Sequence, residues 1–451
     1  MKQLVEKLGA IFKGELDTSQ ETKEFYSHDA SLFELVPEVV AFPKDAENIK
    51  NVVKVVNHHK KDYPDLSITP RSRGTDMSGG AIGQSIVLDV SKHLNKLIKV
   101  SKAEATVQPG MMYKDFEVQT LKKGVLLPSY PASRDLASVG GMMSNNSGGE
   151  KSLEYGKTDN FVTQLKMVLS DGNEYVVKPL NKQQLVRKMA QQDFEGTLYK
   201  KTFEKHYEEI QAARPLVSKD STGYHLWNVW NRETGIFDLT KLFVGAQGTL
   251  GLISEGTVKL VPHRQHSGLL VLFLRDINDL GDLIPAVLKH KPATFESFDD
   301  QTLLLSIKFM PSFLKMLGPK RFIHLLFSLI PDGLQLLRGI PKLVLMIEFN
   351  GNSEDEVRKK IRTLHDELRK YRARYEINGF EEAPNELASQ KFWVMRRYSF
   401  QILRSKVKDK HTAPFIDDFV VPPAHLAEFL PKLRKIIKKY KLFATIAGHM
   451  G

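Results

Sequence analysis

The sequence predicts a protein of mixed α and β structure with two or three domains, and three observations carry that expectation. At 451 residues the chain exceeds what a single hydrophobic core serves. Its apolar periodicity alternates. Ile49, Val52, Val53 and Val56 recur at helical spacing, while Leu66–Thr69 and Ser85–Asp89 are short apolar and β-branched runs that read as strands. Between those two strands lies Arg73-Gly74-Thr75-Asp76-Met77-Ser78-Gly79-Gly80, a loop whose glycines let backbone N–H groups approach an anion.

Each element has its own local signal. Asp45 stands as N-cap to the helix carrying Ile49. A second helix follows Pro109-Gly110, carries Tyr113, Phe116 and Leu121, and stops at Gly124. Leu165–Leu169 and Tyr175–Val177 flank Asp171-Gly172 and read as a hairpin. A new composition begins after Val261-Pro262-His263-Arg264. It brings strand patterns at Leu269–Leu274 and Leu343–Phe349, each expected to lead into a charged helix. The expected organisation is a helical lead-in over 1–34, one domain over 35–263 and another over 264–451.

Composition excludes several classes of function. Hydrophobic residues make up 41% of the chain and charged residues 26%, the balance of a soluble globular protein. There are no cysteines, which removes disulfides, thiolate nucleophiles and Cys-ligated zinc or iron–sulfur clusters on this chain. The first residues hold no long apolar stretch of a secretory signal, and no window of 18 uncharged apolar residues predicts a spanning helix. The net charge of +12 concentrates in Lys432–Lys441, where interleaved apolar residues give an amphipathic helix with a solvated basic face. No nucleic-acid motif accompanies it, so no nucleic-acid partner is expected.

Two further glycine clusters join the first. One runs from Pro131-Ala132-Ser133 to Gly140-Gly141-Met142-Met143-Ser144-Asn145-Asn146-Ser147-Gly148-Gly149 and Tyr155-Gly156. The other is Leu242–Ile253. Spacing rejects the commoner phosphate folds. Gly156-Lys157-Thr158 has Lys151 where a Walker loop needs glycine, and no strand leads into G-x-G-x-x-G.

Together these clusters resemble the FAD-binding domain of the vanillyl-alcohol oxidase/PCMH flavoprotein superfamily, in the branch of glycolate oxidase subunits and D-lactate or D-2-hydroxyglutarate dehydrogenases. The resemblance implies an α+β fold: a PCMH-type FAD-binding domain of two subdomains, then an α+β cap, the FAD-linked oxidase C-terminal domain. It implies that Arg73, Gly74, Thr75, Asp76, Met77, Ser78, Gly79 and Gly80 cradle the FAD pyrophosphate. Pro131, Ser133, Gly140, Gly141, Ser144, Asn145, Ser147, Gly148, Gly149 and Gly156 would follow the flavin, and Ile253 would meet the ring edge through its backbone. The first loop has no histidine and the chain no cysteine, so FAD is expected to be noncovalent.

The cap resemblance rests on Phe392–Phe400, Phe415–Pro423 and Ala447-Gly448-His449-Met450-Gly451. It implies that Arg396 or Arg397 clamps a substrate carboxylate, and that His449 serves catalysis and, if its motif were completed, a divalent zinc or manganese site. One histidine cannot hold such an ion alone. The sequence stops inside that motif, which reads as an incomplete cap domain. Ile416 stands where 2-hydroxyglutarate dehydrogenases often carry lysine, which weighs against a dicarboxylate. The resemblance implies an FAD-dependent dehydrogenase passing hydride from C2 of a D-lactate- or glycolate-like 2-hydroxy acid to flavin N5, with a quinone or a separate iron–sulfur protein as electron acceptor. The alternatives are a sugar or aldonolactone oxidase and a flavin-binding subunit without turnover. The expected location is the cytoplasm. The basic, apolar stretch 310–342 reads either as peripheral contact with the inner membrane face or as cap-domain core and rim.

Overall fold

The protein is described by a computed structural model that covers residues 2–204, 206–217, 219–220, 222–308, 339–406, 418–442 and 444–451. Most of the 310–342 stretch lies outside these residues, as do Phe415, Ile416 and Asp417. Among the described residues, no helix is long and apolar enough to cross a membrane.

Three sheets organise the chain. The first contains β1 (Glu15–Asp17), β2 (Val39–Phe42), β3 (Ile68–Arg71) and β4 (Ile86–Asp89) in the order β1-β2-β4-β3. β2, β4 and β3 run parallel, and β1 closes the edge antiparallel. Every residue of β2 and β4 is buried, as expected for strands covered on both faces. The helix Ala46–His59 begins at Asp45, whose carboxylate accepts the Asn48 N–H at 2.8 Å. It buries Ile49, Val52 and Val53 against Ile86 and Leu88.

The second sheet is antiparallel. It comprises β5 (Leu97–Val100), β6 (Glu104–Val107), β8 (Val162–Val168), β9 (Glu174–Val177) and β12 (Leu252–Lys259), ordered β5-β6-β12-β8-β9. The expected hairpin is β8–β9, with Gly172 at φ +76° in its turn. Two short ladders complete this half: β7 (Val125–Leu126) with β13 (Val261–Pro262), and β10 (Trp230–Asn231) with β11 (Ile236–Phe237). Val168 and Leu252 lie in the core of the first sheet, so the two sheets share apolar contacts. In the helix Tyr113–Leu121, Tyr113 and Phe116 are fully buried, but Leu121 is exposed.

The third sheet contains β14 (His266–Leu274), β15 (Thr294–Asp299), β16 (Leu343–Gly351), β17 (Ile377–Ala383) and β18 (Ala447–His449), ordered β17-β14-β16-β15-β18 and fully antiparallel. Its continuous apolar strands have a simple cause. Leu270, Leu272 and Leu274 face the helices Leu280–Leu288 and Glu354–Lys370. Leu269, Val271 and Phe273 face Phe392, Trp393 and Met395 of the helix Glu386–Lys406. The charged helix expected after Leu269–Leu274 is instead largely apolar. Leu280, Leu283, Ile284 and Val287 are buried, because the turn Pro423–His425 and the helix Leu426–Lys439 pack over it. The helix over Lys432–Lys439 is amphipathic, as its spacing predicts.

Phe295 in β15 is fully buried among Leu345, Ile347 and Met450. Phe295→Ala is expected to cost about 3–5 kcal/mol, read as a lower urea midpoint for unfolding of this half.

Candidate active site

β3 and β4 are parallel neighbours, so residues 72–85 must cross the sheet from the end of one to the start of the other. They do so without a helix, hung on one buried cation. Arg71, at the end of β3, donates through Nη1 to the Tyr26 carbonyl at 3.3 Å and the Ala81 carbonyl at 3.4 Å. Its guanidinium also stacks 5.0 Å from the Tyr26 ring centroid. Tyr26 donates its hydroxyl to Asp89 at the end of β4, at 2.7 Å. Burial, followed by the Asp89 charge, holds that phenol far above its ordinary range. Gly74 takes φ +60°, and a Cβ there would stand 2.6 Å from Arg71 Nη2. The Asp76 carboxylate folds the loop back by accepting the N–H groups of Ser78 at 3.1 Å and Gly80 at 2.8 Å. Among the described residues, the N–H groups of Arg73, Gly74 and Thr75 meet no protein acceptor.

The facing wall is the helix Val139–Ser144, which the sequence reading treats as part of a glycine loop. Gly140 belongs in this helix because a Cβ would strike the backbone of Pro109. Ser138 caps it, accepting the Gly141 N–H at 3.0 Å, and touches Ser72 Oγ at 2.5 Å. At its other end, the N–H groups of Gly245 and Gln247 donate to the carbonyls of Met143 and Ser144, each at 2.9 Å. Positive φ at Gly245, Gln247 and Gly248 makes that return possible.

Loop and helix enclose a cleft of about 980 Å³, open to solvent at its mouth. Of the residues singled out by sequence, Arg73, Gly74, Thr75, Asp76, Gly80, Pro131, Ser133, Gly140, Gly141, Ser144, Asn145, Ser147 and Ile253 line it. Met77, Ser78 and Gly79 are not in that lining; a Cβ on Gly79 would lie 3.0 Å from the Phe33 ring. Gly148 and Gly149 stand behind the wall, where the Gly149 N–H donates to Ser152 Oγ at 2.7 Å. The sequence reading misses Arg71, Ser72 and Ser138 as lining residues, whereas Gln247 and Gly248, which also line the cleft, belong to its third glycine cluster. The apolar stretch that follows Ser138 is the signal that could have found the cap.

Residues 37–178 match the family model of the FAD binding domain, and residues 263–451 match that of FAD linked oxidases, C-terminal domain. The chain belongs to the FAD-linked oxidases. D-2-hydroxyglutarate dehydrogenase of Pseudomonas putida is 25% identical over 445 residues, covering 97% of this chain and 42% of that protein. Glycolate oxidase subunit GlcD of Bacillus subtilis is 25% identical over 446 residues, covering 96% of this chain and 76% of its own. D-lactate dehydrogenase of Anaerostipes hadrus is 24% identical, covering all of this chain and 79% of its own. The chain thus spans less than half the length of the D-2-hydroxyglutarate dehydrogenase it matches. Alkyldihydroxyacetonephosphate synthase superposes with a TM-score of 0.60 at 17% identity, covering 90% of this chain and 64% of that one, and so shares the fold.

FAD fits the first cleft. The unpartnered N–H groups of residues 73–75 suit a diphosphate. A Cβ on Gly80 would project to 3.1 Å from Asp76 and 3.3 Å from Gln247, narrowing the cradle.

A second cleft, of about 860 Å³ and open to solvent, takes part of its lining from the segment 144–159, at Ser152, Leu153, Gly156, Lys157 and Asp159. Gly156 and Lys157 line it from the FAD-binding half, and His449 and Gly451 line it from the cap. His449 lies opposite Glu296 in the β15–β18 ladder. Its Nδ1 contacts the Gly451 carbonyl at 3.1 Å, while its Nε2 is buried without a partner. Burial pushes its pKa below the ordinary imidazole value. Arg396 donates through Nε and Nη2 to Glu296 Oε2, at 3.0 and 2.9 Å. The resemblance implies a substrate clamp here, but Arg396 lines neither cleft and neutralises a carboxylate that is itself buried. The side chain of Arg397 lies outside the described residues. Lys157, Lys219, Asp220 and His225 also line the second cleft, and sequence reasoning missed them. Lys157 entered it only as the lysine of a rejected Walker loop.

Gly74→Ala forces a β-carbon into a left-handed position against Arg71. It is expected to cost about 1–2 kcal/mol in loop geometry alone and to weaken FAD binding about tenfold or more. FAD titration of the apoprotein checks this.

Proposed function

We propose that this oxidase dehydrogenates a small 2-hydroxy acid of the D-lactate or glycolate kind. The observation that carries the reading is the position of His449. A cap-domain imidazole lines a cleft to which Ser152, Leu153, Gly156, Lys157 and Asp159 also contribute, and the same segment lines the FAD cleft at Ser144, Asn145 and Ser147. Relatives named for glycolate, D-lactate and D-2-hydroxyglutarate oxidation supply the substrate class.

The residues divide the work. The loop 73–80, the helix Val139–Ser144 and Ile253 would hold FAD. Bound FAD supplies a two-electron acceptor, taking hydride from substrate C2 at N5. With Nδ1–H given to the Gly451 carbonyl, His449 Nε2 keeps a lone pair that is buried and without a partner. Lowered basicity keeps it unprotonated at neutral pH, ready to take the hydroxyl proton as the C2 carbonyl forms. Glu296 lies beside it, neutralised by Arg396.

A divalent metal is not part of this reading. Among the described residues, no group of three His, Asp or Glu side chains could hold an ion. Electrons would leave to a quinone or to a separate iron–sulfur protein, because a chain without cysteine has no ligands for a Cys-bound cluster.

No histidine or cysteine lines the FAD cleft, so the cofactor is noncovalent in this reading. Acid precipitation of the purified protein is expected to leave a yellow supernatant and a colourless pellet. Anaerobic D-lactate or glycolate is expected to bleach the flavin band of the loaded protein. Bleaching by an aldonolactone and by neither hydroxy acid would overturn the substrate class.

A further inference from the structure

We propose that Lys157 anchors the substrate carboxylate in the second cleft and that this cleft selects monocarboxylates over dicarboxylates. The inference rests on the 2-hydroxy-acid reading and supplies what that reading lacks, a partner for the carboxylate. Arg396 is an unsuitable first candidate, since two of its donors are spent on the buried carboxylate of Glu296.

Lys157 is better placed. It follows Gly156 on the segment that contributes to both clefts, and its Nζ donates one bond to the Asp220 carbonyl. An ammonium has three donors, so two remain for a carboxylate. The carbonyl partner fixes the head, and the Asp159 and Asp220 carboxylates lie near enough to favour its charge. Burial lowers the Lys157 pKa, the penalty expected of a cation partly removed from water, and an arriving anion relieves that penalty.

Charge in the cleft sets the selectivity. Lys157, Arg214 and Lys219 supply three positive charges, and Asp159 and Asp220 supply two negative ones. The second carboxylate of a dicarboxylate would add to the two negative charges already there. It would also meet Asp220 Oδ2, which is buried with no hydrogen-bond partner and lies 3.6 Å from His225 Nε2, too far for a hydrogen bond.

The test uses the FAD-loaded protein and oxamate, a monocarboxylate that cannot be dehydrogenated. Calorimetry is expected to show that Lys157→Gln weakens oxamate binding about tenfold or more, the loss of a charge-assisted pair. FAD content should be unchanged, and Lys157→Arg should recover part of the affinity. In anaerobic bleaching, Lys157→Gln is expected to raise the half-saturating D-lactate concentration by the same factor. D-malate should require about tenfold more than D-lactate in the unsubstituted protein. Undiminished oxamate binding by Lys157→Gln, or no oxamate binding by the unsubstituted protein, overturns the anchor. Equal response to D-malate and D-lactate overturns the selectivity. If oxamate binding depends on Lys157 but no hydroxy acid bleaches the flavin, the reaction fails and the anchor stands.

Discussion

The FAD-binding half depends on the burial of one guanidinium. Two parallel strands cannot be joined by a tight turn, and here the crossover carries no helix to stiffen it. Arg71 takes that part. It ties the loop's far end, through the Ala81 carbonyl, to the end of the helix Gln20–Tyr26, through the Tyr26 carbonyl. Tyr26 in turn reaches Asp89 at the end of β4. Both strand ends and the loop between them therefore belong to one hydrogen-bonded unit. Gly74 is constrained twice over, by its left-handed backbone and by the guanidinium beneath it. With the loop so held, its outward N–H groups stay available to a ligand.

A second constraint couples the two halves. Residues 144–159 contribute to both clefts, at Ser144, Asn145 and Ser147 in the first and at Ser152, Leu153, Gly156, Lys157 and Asp159 in the second, and the same segment grips the cap. Glu154 receives Arg264 at 3.0 Å and Asn350 at 3.4 Å. Leu153 packs into the apolar cluster that contains Phe295 and Met450. The Met450 N–H donates to the Phe295 carbonyl at 2.8 Å, which seats His449 at the edge of the third sheet. The geometry that presents His449 to the second cleft thus depends on cap-core packing as much as on the local chain.

Much of this was legible from local chemistry. Asp45 caps its helix because a short acceptor precedes an amphipathic run, and Asp171-Gly172 turns its hairpin because glycine accepts positive φ. The helix Val139–Ser144 was not legible. Its two consecutive glycines argue for a loop, and the helix is secured by long-range partners: Pro109 against Gly140, and Gly245 and Gln247 on its last carbonyls. The apolar helix after β14 escaped for a related reason, because its covering turn and helix lie more than a hundred residues away in sequence.

By itself the sequence determined the glycine loop 73–80, the absence of thiol and cluster chemistry and six of the fourteen strands of the three sheets. Those features depend on residue type and short-range spacing. Only the tertiary structure decided the charged partners. It gave Arg396 to Glu296, one hundred residues apart, and gathered Lys157, Asp220, His225 and His449 around one cleft. Electrostatic roles follow distance and burial, and spacing along the chain carries neither.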